Sequence, residues 1–557
     1  MRRGELAGMM AFMLLLGMLA GSPRAAEEDP HAGCAAPPSY VPEELLERQV
    51  TLRDGVGNSR ETVTTSDPQA QAFYNQGLNY LESYVWIEAS RSFHQALRLD
   101  PKLAMAYLGL SRVASGLDNA EAAQSWFNKG KALADGISAR ERRRFEIRGK
   151  QLEAMQDLES DAKYQAYKKS IDEALAADPD DPELWILRGN ADEGNASGRG
   201  QRGGAPTVAF YERALRLVPD HATAHHYLVH SFETIGRMEE ALQHGEAYAK
   251  LAPAIPHAAH MWGHDLRRVG RVDEAIAQFQ KADALEDAYY KAEKIDPAFD
   301  WHHGHNLDLL ASCFEHKGQM KTAEKTFRES AELGSVGAYP AFNKREMPGF
   351  LIHRGRYAEA LEAAGKMTSS DYPQSRTAGH ALAGEALIDL GKIKEAESEL
   401  QAAQKELANV PVVTPGIVPR RSTVEPLVEA LRGEILMRTG KQSEGRNVLK
   451  EVQRKLRAMP GPDAWSQALF RLEVMARRAR DAGDWKLAEY TAEQMLDHDA
   501  AYGGSHLAMA LVLQKKGDAA GATREFQAAM SGWRDADPDL AELKRIPKKV
   551  AETGLGR

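Results

Sequence analysis

AFYNQGLNYL (residues 72–81) followed by EASRSFHQALRLDP (88–101) reads as two helical phrases, and AMAYLGLSRVASG (104–116) followed by AEAAQSWFNKGKAL (120–133) repeats them. Ala89 recurs as Ala123 and Phe93 as Phe127, both 34 residues apart. Apolar residues return at the spacing of one face of an α-helix. The small Ala lets two helices cross closely. A glycine near the end of the first phrase stops it. Asp100-Pro101 closes the second phrase, because proline lacks the amide hydrogen a helix interior needs. A unit of this kind cannot bury its own apolar face, so the stack of units is what folds.

The same pattern runs outward to the end of the chain. SIDEALAADPDDPELWILRG (170–189) joins two units; ATAHHYLVHSFETIGRMEEAL (222–242) and HAAHMWGHDLRRVGRVDEAIAQFQKA (257–282) are two more. LASCFEHKGQMKTAEKTF (310–327), ARRARDAGDWKLAEYTAE (476–493) and LAMALVLQKKGDAAGATREFQAAM (507–530) continue it. Template matching gives about twelve units. The period and the two-helix grammar are those of tetratricopeptide repeats (TPR). The expected fold is therefore all-α: a right-handed superhelical solenoid, its concave groove lined by the first helix of each pair.

Length and composition agree. The 557 residues exceed what one hydrophobic core serves, as a repeat array would. A net charge of −9 argues against nucleic acid as the main partner. Arg2 and Arg3, the apolar run MMAFMLLLGMLA (9–20) and the small residues through Ala25-Ala26 read as a signal peptide over residues 1–26. That run is too short to cross a bilayer. The expectation is a periplasmic or secreted protein with no membrane span in its mature form. Residues 27–66 form a polar N-terminal extension, 67–407 the main array, 408–424 a Pro-rich linker, and 425–557 the C-terminal repeats. Two insertions, 190–206 and 286–303, lengthen their units. Only Cys34 and Cys313 are present, their spacing requires no disulfide, and the absence of Cys-x-x-Cys-His excludes the usual c-type haem attachment.

The histidines carry the chemistry. Of 18 in the chain, 12 fall between His221 and His316. Their register matters more than their number. His230 and His264 each stand six residues before the glycine that ends their helix, Gly236 and Gly270; His226 and His260 stand ten before. His257 and His305 stand thirteen before Gly270 and Gly318, and Asp308 ten before Gly318. Three- and four-residue spacings put these side chains on one face of each helix. Leu228, Phe232, Trp262 and Leu266 mark the core side, so the histidine stripe beside them is expected to face the groove. First helices of neighbouring units pack about 8–10 Å apart, which lets their side chains converge. His226, His230, His257, His260, His264 and His305, with Glu233 and Asp308, are therefore candidate ligands of one or two transition-metal ions (copper, zinc, iron or manganese). Glu233 and Asp308 are also candidate general bases, and Tyr227 a candidate donor behind the ligands. His225, His244 and His303 read as packing or solvated residues. His316 and His353, each two residues before a helix-ending glycine, read as partners of the helix dipole.

His221-x4-His226-Tyr227-x2-His230-x2-Glu233, then His257-x2-His260-Met261-x2-His264, then His305-Asn306, resembles a family of exported bacterial TPR proteins of largely unassigned function. VTTSDPQAQAFYNQGLNYL is similar too, and the likeness spans residues 60–330. The family usually has proline where Trp262 stands, and often histidine where Asp308 stands. The resemblance implies an exported solenoid with an ordered histidine set, and implies no reaction. No His-Glu-x-x-His, Ser elbow or phosphate loop is present. Two functions follow from the residues: a metal-binding protein, with hydrolysis and oxidation both physically open to it, or a scaffold whose groove binds a peptide or protein partner.

Overall fold

The computed structural model describes residues 41–416, 418–459 and 462–554. The expected signal peptide, Cys34 and residues 27–40 of the extension lie outside them. Among the described residues there are helices and no strands. Twelve antiparallel helix pairs follow one another, from Pro68–Glu82 with Trp86–Leu99 to Gly503–Lys516 with Ala519–Gly532. Most pairs pack chiefly on their sequence neighbours, as stacked repeats must.

Local sequence explains the ends of the helices. The Asp67 carboxylate accepts from the amides of Gln69 and Ala70 ahead of Pro68. Ser138 and Glu141 form a reciprocal capping box. In most pairs the chain turns between the two helices through a left-handed residue. From the fifth pair on, glycine takes that position, as at Gly236, Gly270 and Gly318. In the first two pairs Tyr84 and Asp118 take it instead, at φ of 60° and 56°. Gly116, which the sequence suggested as the stop, is the last helical residue before that turn.

Packing follows the pattern of small residue against aromatic. Ala241, Ala275 and Ala323 are wholly buried at helix crossings, and Phe279 and Phe327 fill the space beside them. Truncating such a buried Phe to Ala costs about 3–5 kcal/mol, the sum of lost transfer energy and the cavity left behind. Residues 41–66 run across the first pairs. Arg48 donates to the Glu293 carbonyl at 2.6 Å, and Ser59 Oγ meets Thr223 Oγ1 at 2.9 Å.

The concave side is not an open groove. The solenoid winds until distant pairs meet. Arg267 of the sixth pair bonds Asp499, at the end of the eleventh, at 2.9 Å. The Asp537 amide donates to the Gly318 carbonyl at 3.1 Å, and Arg354 to Glu542 at 2.7 Å. The insertion at 190–206 reaches the segment between the ninth and tenth pairs: the Gly416 amide donates to Ser197 Oγ at 3.0 Å, and Arg202 to the Val418 carbonyl at 3.3 Å. The C-terminal half thereby walls a chamber of about 470 Å³, instead of prolonging an open surface.

Candidate metal centre

Three consecutive first helices build the site: Ala222–Thr234, Pro256–Arg268 and Trp301–His316. Each carries histidines at three- or four-residue spacing, so each presents a stripe to its neighbour. The stripes meet as a seam of seven imidazoles in three overlapping triads: His226, His230 and His257; His257, His260 and His302; His260, His264 and His305. Within each triad one donor atom from every ring lies within 4.8 Å of the others. The rings are in contact throughout, with centroids 4.9 Å apart for His226 and His257, 4.4 Å for His260 and His302, and 4.6 Å for His260 and His305.

Hydrogen bonds behind the seam fix which nitrogen faces it. His226 Nδ1 meets the Glu82 carbonyl oxygen at 2.9 Å; a carbonyl only accepts, so Nδ1 carries the proton. The Asn306 amide donates to the Phe279 carbonyl at 3.0 Å, which turns its oxygen toward His260 Nδ1 at 2.8 Å. His302 Nδ1 donates to the Glu286 carboxylate. In all three rings the Nε2 lone pair is thus left for the seam. His226 Nε2 lies 3.0 Å from His257 Nε2, and His260 Nε2 lies 2.7 Å from His264 Nε2. Two nitrogens bound tetrahedrally to one ion stand about 3.3 Å apart, given metal–nitrogen distances of 2.0–2.1 Å. Small ring rotations bridge that difference.

Burial sets the charge. His226, His257 and His260 are held well below the ordinary imidazole value by desolvation and by each other's charge. His230 is pushed down to about 3, chiefly by burial. These rings are neutral at pH 7, the form that ligates a metal. The unpartnered nitrogens among them are His230 Nε2, His257 Nδ1 and His302 Nε2.

The six histidines singled out in the sequence all join the seam. Glu233 stands beside it, 3.7 Å from His264 Nδ1 and 3.9 Å from His230 Nδ1. Asp308 is buried but belongs to none of the triads; its charge acts on Lys344. Tyr227 donates to the Glu82 carboxylate, behind the residue that orients His226. Sequence reasoning passed over His302 and its partner Glu286. The signal was available, since His302 precedes His305 by three, but Glu286 sits on the preceding long helix and nothing local ties the two together. His303 shares Glu286 at 3.1 Å and is raised above the ordinary imidazole value by that carboxylate, against the opposing effect of burial. His225 and His244 pair at 2.8 Å away from the triads.

His316 and His353 both stand in the last turn of a helix, but each also meets a carboxylate. His316 meets Asp499 at 3.2 Å. His353 lies between Glu315 at 2.5 Å and Glu473 at 3.1 Å, and these carboxylates, against the cost of burial, raise it to about 9.

The seam opens on the chamber through His230, His257, His264 and His305, with Glu233 on the same wall. Trp301 stacks on His305 at 5.7 Å, and Tyr339 Oη meets His305 Nδ1 at 3.2 Å. A metal held here would have protein on one side and space for a small molecule on the other.

The tetratricopeptide-repeat family profile matches residues 209–256, the fifth pair and its approach. No curated protein matches the sequence significantly. Among solved structures the chain is similar to yeast Tom70, at 13% identity over 75% of this chain and 93% of that one, with a TM-score of 0.38. It is also similar to the human IFIT1 dimer solved with m7Gppp-AAAA, at 13% identity over 84% and 91%, TM-score 0.35. YrrB, a TPR protein with an unusual peptide-binding site, matches at 17% identity over 35% of this chain and 91% of its own, TM-score 0.24. What the chain shares with them is its repeat architecture: it is an all-α solenoid of tetratricopeptide type.

Proposed function

We propose that the protein binds one or two transition-metal ions on the imidazole seam, beyond the cytoplasm if residues 1–26 act as the signal their sequence suggests. The observation that carries this reading is the orientation of the rings. Three separate acceptors, the Glu82 carbonyl, Asn306 and Glu286, take the Nδ1 protons of His226, His260 and His302 and leave Nε2 facing other imidazoles. A polar seam needing only internal satisfaction would pair its nitrogens, whereas His302 Nε2 and His257 Nδ1 have no partner. Ordered outer hydrogen bonds of this kind orient ligating histidines and raise their basicity. Each triad is made of imidazole nitrogens, which favours copper, zinc or iron over manganese.

The chamber supports a catalytic use. A metal with an open side can lower the pKa of bound water or polarise a substrate oxygen, and Glu233 is placed to take a proton. Either hydrolysis or oxidation fits that arrangement. The TPR scaffold is in itself suited to protein or peptide binding. With its concave side walled off, a peptide partner would use another face.

The test is elemental mass spectrometry of the full, untagged protein beside the His226→Ala/His260→Ala/His264→Ala variant. One or two ions per chain are expected, absent from the variant while its helical circular dichroism persists. No metal in either protein after incubation with zinc, copper, iron and manganese refutes the reading.

A further inference from the structure

The chamber has a second chemistry besides the seam. Four guanidinium groups line it: Arg202 from the insertion at 190–206, Arg345 from the turn before the eighth pair, and Arg420 and Arg471 from the C-terminal half. The carboxylates on the lining are Glu193 and Glu233. Burial raises Glu193 to about 7, so its charge is only partial at neutral pH. The lining is therefore cationic before any metal is added.

Two of the four are paired with carboxylates of the protein. Arg345 sits beside Glu346 at 3.2 Å, and Arg471 beside Glu385 at 3.2 Å. Arg202 donates to the carbonyls of Thr414 and Val418 at 3.5 and 3.3 Å. Arg202 and Arg420 form no ion pair among the described residues, although the charge of Glu193 acts on Arg202. Burial pushes Arg202 down to about 10, the positive charge of Arg420 pushes the same way, and the Glu193 carboxylate opposes them. Like charges close enough to act on each other are costly unless something negative joins them. A guanidinium matches the geometry of carboxylate and phosphate oxygens, which it can hold through paired N–H donors.

We propose that the chamber takes a small organic or inorganic anion, a carboxylate or a phosphate, held by Arg202 and Arg420 within the same cavity as the histidine seam. The volume of about 470 Å³ fits a metabolite-sized molecule and excludes a folded partner. The inference deepens the metal reading by naming the chemical class that would meet the ion. The arginine contacts themselves need no metal.

Isothermal titration of the full chain tests it, in metal-free and zinc-loaded forms, with succinate, inorganic phosphate and the neutral succinamide as probes. One equivalent of succinate or phosphate is expected to bind, and the stronger of the two identifies the anion. R202Q and R420Q should each weaken it about tenfold, the size of one lost charged hydrogen bond. R454Q, on an exposed helix face, should leave it unchanged. Arg420 is exposed, so R420Q is not expected to disturb folding. Succinamide binding as well as succinate, or R202Q and R420Q binding like the parent, overturns the proposal. Arginine-dependent binding in a protein that takes up no metal sinks the metal reading alone. Metal uptake without arginine-dependent binding sinks this one alone.

Discussion

Replacing Asp499 by Asn tests the closure of the solenoid at a buried ion pair. The Arg267 and Asp499 side chains are 2% and 5% exposed, so this is an interior pair, not a surface one. Arg267 Nη1 donates to Asp499 Oδ2 at 2.9 Å, and its Nε and Nη2 have no partner, so Asp499 is the carboxylate that balances it. The ring of Trp465 beneath the guanidinium, 4.8 Å away, supplies a weaker cation–π contact. Removing one partner of a buried pair costs about 3–5 kcal/mol, because the other charge stays buried alone. D499N should therefore lower the first urea transition, followed by circular dichroism, by about that amount. It should also expand the molecule in small-angle scattering as the C-terminal pairs come away. The companion R267M/D499N should recover most of the loss, since no unpaired charge remains. The pH dependence has a definite sign. Burial opposes the Asp499 charge, but Arg267 and His316 hold its carboxyl well below the ordinary range. Its contribution is present above the unfolded pKa of about 4 and fades as pH falls. D499N should flatten the acid limb of the stability curve. A loss under about 1 kcal/mol, the size of a surface pair, would refute the reasoning.

Asn306→Leu removes the acceptor that fixes the His260 tautomer and should weaken zinc binding about 10–100-fold in a competition titration with no change in helix content; unchanged affinity would show that Asn306 does not orient the ring. Gly318→Ala places a side chain at φ +75°, with its Cβ 2.7 Å from that of Ala536, and should cost about 1–3 kcal/mol in thermal unfolding, where a neutral result would mean that this contact yields freely. His353, raised to about 9, stabilises the fold below its unfolded value of about 6.5 and ceases to as pH rises through 9. Glu473, lowered to about 2, stabilises it above about 4.5 and ceases to as pH falls toward 2. Melting temperatures taken from pH 6.5 to 9.5 should decline in the parent and hold level in H353Q; parallel declines would count against the pair.

The repeat was legible because it is local. The 34-residue recurrence of Ala89 and Phe93, the glycines that end first helices and the Asp-Pro stops each act within one unit. Helical spacing likewise put His226 with His230, and His257 with His260 and His264, on common faces. Equal register carried those faces to adjacent helices, and there the rings meet. Asp308 shares that register yet belongs to none of the three triads, because equal position along a helix does not by itself bring a donor atom to the same point. His302 and Glu286 show the opposite case, a partnership within the 286–303 insertion between the end of one helix and the start of the next.

What the sequence by itself determined is the helix pair, its number of repetitions and the face each histidine occupies, since all three depend on residues a few positions apart. The tertiary structure alone decided that the solenoid closes. The contacts from Arg202 to Val418, Arg267 to Asp499 and Gly318 to Asp537 join residues about two hundred positions apart. Whether such residues meet depends on small rotations accumulated from one pair to the next and on the lengths of the inserts between them. No local pattern records that sum, and it is the sum that turns a groove into a chamber lined with imidazole and guanidinium.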